Sequence, residues 1–138
     1  MWIIFALLSA FFAACVAILA KLGLEGVNSH LAVAIRTIVV CGMAWGLVFM
    51  TGAQGGISQF TQRNWIFLIL SGIATGLSWL FYFRALQIGE VSRVVPIDKL
   101  SVVLTMALAF IILGETVTAK AVIGGLLIVV GTIVIVLP

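Results

Sequence analysis

The chain has 138 residues, of which 64% are hydrophobic and only 8% charged, against about 25% charged in an ordinary soluble domain. With a mean hydropathy of +1.41 it lacks the polar surface that a soluble domain of this length needs, which excludes a soluble enzyme, a disordered chain and a nucleic-acid-binding module. The formal charge of +3 is seven Lys and Arg against four Asp and Glu on an apolar background, not a basic patch.

A helix crosses the hydrocarbon core with about 20 mostly apolar residues. Five stretches meet that length: residues 2–20, 29–50, 65–88, 92–113 and 120–137. The first stops at Lys21, the second at Thr51 and Gly52, the third at Gly89 and the fourth at Gly114, all ordinary helix-ending signals. Between the second and third, residues 51–64 carry Gly52, Gly55, Gly56 and three Gln, the composition of a solvated loop. The other connections are short, so consecutive helices should run antiparallel. The predicted fold is an all-α integral membrane domain of five transmembrane helices spanning residues 1–138, with the bilayer as its solvent. The first stretch has no Lys or Arg before its apolar run and so does not read as a cleaved signal peptide.

An odd number of spans puts the termini on opposite faces. The N-terminal face then receives Arg63 and Lys120; the C-terminal face receives Lys21, Arg84 and Arg93, with Arg36 deeper in the second span. Two cations against three is almost no bias, and that bias normally orients a membrane protein. Two readings stay open on charge alone: a slight preference for a cytoplasmic C-terminal face, or insertion of copies in both orientations.

Several faces read as packing surfaces. The third span carries Gly72 and Gly76 at a GxxxG spacing, and Trp79 and Phe83 continue that face. Beside it run Ser71, Thr75, Ser78 and Tyr82, a polar stripe that should meet other helices or a cavity rather than lipid. Ala6, Ala10, Ala13 and Ala17 line the first span, and Gly124 and Gly131, seven apart, share a face of the last. Cys15 and Cys41 have no metal-ligand spacing, and His30, at the mouth of the second span, reads as structural. No nucleophile–base pair, phosphate loop or metal cluster is present in the sequence, so no enzyme, cofactor or metal is expected.

The informative residues are the charges inside the spans. Arg36 lies about 10 Å along the second span, Asp98 and Lys99 about 9–10 Å along the fourth, and Arg84 about 8 Å before the end of the third, at ~1.5 Å per residue. By the alternation of the spans, all four share one depth, reached from three helices. The cations are long enough to snorkel toward water. Asp98 is not, and an aspartate at mid-helix costs about 2.5–3.5 kcal/mol to insert. Arg36 is the first choice as its partner and Arg84 the second, because adjacent Lys99 points about 100° away around a regular helix. Pro96 either opens the fourth span or, if the helix begins earlier, kinks it and frees carbonyls beside the charges. Ser101 and Thr105 extend the polar strip. A cluster of Arg36, Arg84 and Lys99 around Asp98 would favour an anionic or zwitterionic small molecule.

The string LAVAIR at 31–36, RALQIGE at 84–90 leading to VVP at 94–96, FIILGE at 110–115 and IGGLLIVVG at 123–131 together resemble the EamA-like branch of the drug/metabolite transporter superfamily. Gly124 and Gly131 are also similar to the last-helix dimer motif of the small multidrug resistance proteins. The resemblance implies a five-helix repeat, two inverted copies of which enclose the substrate in most members. One repeat then implies an inverted second copy, an antiparallel homodimer, and the nearly balanced charge suits that. The Asp98–Lys99 pair stands where the family commonly has small or apolar residues, and the first span lacks the membrane glutamate of the small multidrug resistance proteins. The expectation is a secondary active transporter, read as an exporter, of a small polar metabolite in a prokaryotic cell (inner) membrane. Asp98, Lys99, Arg36, Arg84, Trp79, Tyr82, Ser101 and Thr105 would contact the substrate. Gly72, Gly76, Gly124 and Gly131 would pack helices or copies. The alternative is a non-transporting membrane subunit that pairs with a second half-transporter or a membrane enzyme.

Overall fold

The computed structural model describes residues 1–137; Pro138, the last residue of the predicted domain, lies outside them. The elements in order are α1 (Trp2–Gly23), α2 (Ser29–Thr51), a 3₁₀ helix (Ala53–Gln59), α3 (Gln62–Ile88), α4 (Val91–Asp98), α5 (Leu100–Ile112) and α6 (Ala119–Val136), with no strand among the described residues. Counting α4 and α5 as one stretch, five helices among the described residues are long and apolar enough to cross a membrane, the all-helical class that the composition demanded.

The helix ends follow local chemistry. α1 runs past Lys21, the predicted stop, to Gly23. Lysine propagates a helix almost as well as leucine, and its ammonium finds an acceptor in the Leu86 carbonyl at 2.6 Å. Asn28 caps α2, its Oδ1 accepting from the amides of His30 and Leu31, and Gly52 ends it at φ 70°, a left-handed conformation that costs glycine little. α3 starts before residue 65 because Thr61 supplies a cap whose Oγ1 accepts from the Asn64 amide, so Gln62, Arg63 and Asn64 become its first turn. The residues read as a loop between the spans hold the 3₁₀ helix, where the Ser58 hydroxyl returns to the Gly55 carbonyl. Thr118 caps α6 through the Ala121 amide.

The fourth span departs from expectation. Residues 92–113 read as one continuous helix, but the structure interrupts it at Lys99. Pro96 sits inside α4, where it can donate no amide to the ladder. The Lys99 amide returns to Val95, and the Val102 amide bonds to Lys99 three residues back, so α5 restarts with a tightened turn.

Two compact units are present: Leu19–Gln87, and Met1–Ile18 with the described residues from Ile88 onward. In the first, the end of α1 meets the end of α3 through Lys21 and Leu86, and the Gln87 side chain donates to the Val27 carbonyl at 2.7 Å. Leu24, Ser29, Val33, Phe83 and Leu86 are its buried residues. In the second, α6 packs on α4 and α5. A Cβ on Gly125 would meet Met106 and Val103 at 3.9 Å, so that glycine is where α6 comes close to α5. Outside these contacts the long apolar side chains are exposed, as a surface solvated by lipid tails requires.

Candidate functional site

The break in the fourth span positions its charges. Asp98 is the last residue of α4, and Lys99 stands between the two helices. The carboxylate therefore precedes the N-terminus of α5, where partial positive charge gathers, and the lysine lies at the C-terminus of α4, where partial negative charge gathers. Their side chains meet, Lys99 Nζ lying 3.3 Å from Asp98 Oδ2, with the carboxylate side chain 34% and the lysine side chain 52% exposed. This corrects the expectation that Lys99 points away from Asp98. Lys99 itself stays in the right-handed helical region, at φ −69° and ψ −9°, and its long, flexible side chain spans the separation to the neighbouring carboxylate. Asp98 thus obtains its counter-charge from the adjacent residue and does not require Arg36 or Arg84 to be neutralised.

α6 braces the break. The Thr132 hydroxyl, buried, bonds to its own Ile128 carbonyl at 2.8 Å and reaches the Pro96 carbonyl at 3.3 Å. Ser101 and Thr105, one turn apart on α5, are exposed. A groove of about 210 Å³ lies between α5 and α6, with Val103, Met106 and Phe110 on one wall and Gly125 on the other. Its lining is apolar, so it suits an acyl chain rather than a polar cargo.

In the unit Leu19–Gln87, α2 and α3 bring together a different set. Trp79 and Phe83 are four apart on α3 and so share a face. The Arg36 guanidinium, from α2, lies 4.2 Å from the centre of the Trp79 ring and 5.2 Å from that of Phe83. Arginine over tryptophan is the strongest common cation–π pairing, worth about 0.5–2 kcal/mol. Arg84 does something else, donating through Nη1 to Gln87 Oε1 at 2.8 Å. Gln87 in turn ties the turn before α2, so Arg84 serves the end of α3.

The expected glycine seams divide by role. No side chain of its own unit lies within 4 Å of a Cβ built on Gly72, Gly76, Gly124 or Gly131; the glycine used inside the unit is Gly125. Sequence reasoning missed Gly125, Phe83, Lys21 and Thr132 as working residues. Phe83 had a signal, its helical register with Trp79, and Thr132 had one as the lone hydroxyl among the apolar residues of α6.

Five apolar helices, one of them broken around a charged pair, define a multi-pass membrane protein. The chain belongs to the EamA-like transporter family, whose family model matches residues 1–137, and its class is that of a membrane transporter. It is 47% identical over 114 residues to an uncharacterized transporter in the cobO 3' region of a Sinorhizobium species, a match covering 83% of this chain and 81% of the relative. No solved structure matches it.

Proposed function

We propose that the protein is a secondary active exporter of a small polar metabolite, anionic or zwitterionic, in a prokaryotic cell membrane, working by alternating access between two copies inserted antiparallel. One observation carries this reading: an ion pair, Asp98–Lys99, at an interruption in a spanning helix. Ionisable residues within spans are costly and tend to mark transport pathways, and interrupted helices are where transporters hold substrates and coupling ions near the midplane. Asp98 and Lys99 contact substrate or coupling ion in this scheme. Ser101 and Thr105 extend the polar path, and Trp79, Tyr82 and Arg84 of α3 are further substrate contacts in the same scheme. The second copy is supported by the nearly balanced charge of the two faces and by Gly124 and Gly131, which are open within their unit. The rhizobial relative supports the prokaryotic membrane.

The test is Asp98→Asn in proteoliposomes. The substitution keeps shape and removes charge, so transport should be abolished while cross-linked dimers persist. Full transport by Asp98→Asn would remove the pair from the mechanism.

A further inference from the structure

Seven cations lie in or beside the spans, and Lys21, Arg84 and Lys99 are among those that spend donors within the chain. Lys21 gives one to the Leu86 carbonyl, Arg84 one to Gln87, and Lys99 one to Asp98. Arg36 is held differently. Its neighbours Trp79 and Phe83 satisfy the charge through ring faces, and a ring face offers no lone pair in the plane of the guanidinium. The N–H edge of that plane, a fork of parallel donors, is what an acceptor must meet. The stretch Leu19–Gln87 contains one acidic residue, Glu25, in the turn between α1 and α2. Among the described residues the ion pairs are Arg93–Glu90 and Lys99–Asp98. A half-buried guanidinium seven residues into a membrane helix, seated on aromatics and outside both of these ion pairs, is arranged for an anion that arrives from outside.

We infer that the Arg36 edge is the seat of a carboxylate on the cargo, with Trp79 and Phe83 walling the apolar part that adjoins it. The charge balance selects the class. One guanidinium neutralises one carboxylate, and both can then leave water at tolerable cost. A phosphate monoester at neutral pH brings nearly two charges and would leave one uncompensated in a low-dielectric span. The fork matches a planar carboxylate with two parallel hydrogen bonds, which a lysine in the same place could not supply. Asp98 and Lys99 already neutralise each other, so Arg36 is the group that sets the sign of the cargo. This rests on the transport reading in one respect only, that the bound anion is cargo.

Trp79, in contact with the guanidinium, reports the site. A full-length variant with Trp2, Trp45 and Trp65 changed to Phe leaves Trp79 as the single indole and is titrated in nanodiscs. Three probes share a ring and differ in charge: benzoate, benzamide and phenyl phosphate. Benzoate should alter Trp79 emission saturably, and benzamide and phenyl phosphate should bind at least about 10-fold more weakly. Arg36→Gln should weaken benzoate about 10- to 100-fold, the range of a lost charge-assisted hydrogen bond. Arg63→Gln, which removes an equal charge at the start of α3, should leave it unchanged. Arg36→Lys keeps the charge without the fork and should weaken benzoate several-fold, which maintains the test if Arg36→Gln does not fold. The inference is overturned by no response to benzoate, by benzamide or phenyl phosphate binding as well as benzoate, or by unchanged benzoate binding in Arg36→Lys or Arg36→Gln. It is equally overturned if Asp98→Asn, without ligand, shifts Trp79 emission as Arg36→Gln does, since Asp98 would then be the counter-ion. Benzoate binding in a protein that transports nothing would sink the transport reading and leave this seat intact; transport of a carboxylate that ignores Arg36→Gln would do the reverse.

Discussion

Lys21 shows how far a single side chain can depart from its apparent role. By position it closes the first span, and by charge it belongs to the interface. In the structure it caps the end of another helix, donating to Leu86 at 2.6 Å, while Gln87 one residue on donates to Val27. A cation at a helix C-terminus is favoured by the exposed carbonyls there. Lys21→Met keeps the length and apolar stem of the side chain and removes the donor. It should cost about 1–2 kcal/mol, the low end for a charged hydrogen bond at a partly exposed site. A lowered midpoint of thermal unfolding in detergent, with secondary structure retained, is the expected reading; an unchanged midpoint would make the bond incidental. Asp98 was legible from the sequence as a residue in need of a partner, because a short carboxylate cannot reach water from that depth. Which partner it takes was not legible, because helix register gives the direction in which a side chain leaves the backbone and not the reach of a long, flexible lysine.

At the scale of elements, hydropathy located the helices well and their interruptions poorly. α4 is the more polar side of the junction, with Ser92, Arg93 and Asp98 in eight residues against Ser101 and Thr105 in the thirteen of α5, but a change in polarity along a span does not by itself say that the helix is interrupted. Pro96 was the available clue, and it admitted two outcomes that depended on where the helix began. The small-residue faces are the opposite case: their spacing was plain, but spacing does not say which partner uses them. Gly125 faces Met106 and Val103 at ordinary contact distance. Gly125→Ala should therefore be tolerated, whereas Gly125→Leu should overpack α6 against α5 and destabilise by about 1–3 kcal/mol. Gly124, one residue earlier, has open space within its unit. Gly124→Leu should leave the thermal midpoint of the protomer unchanged and, if that face meets a second copy, abolish cross-linked dimers. Dimers that survive Gly124→Leu would exclude the face from the pairing.

For the molecule as a whole, the proposed antiparallel pair requires that the chain insert both ways. Reporter fusions at the C-terminus should then be active on both sides of the membrane; activity on one side alone would favour pairing with a different half-transporter. Adding positive charge to the segment between α2 and α3, as in Ser58→Lys with Gln59→Lys, should hold that segment in the cytoplasm, collapse the reporter signal to one side and lower transport with it. The amino-acid sequence by itself determined the solvent, the helices and the transporter family, because twenty-residue apolar runs and their order are one-dimensional properties. Only the tertiary structure decided that Asp98 is answered by Lys99 at a helix break, that Arg36 rests on Trp79 and Phe83, and that Gly125 rather than Gly124 brings α6 onto α5. These depend on where a long, flexible side chain reaches and on which helix faces meet, and hydropathy, which treats all apolar neighbours alike, carries neither.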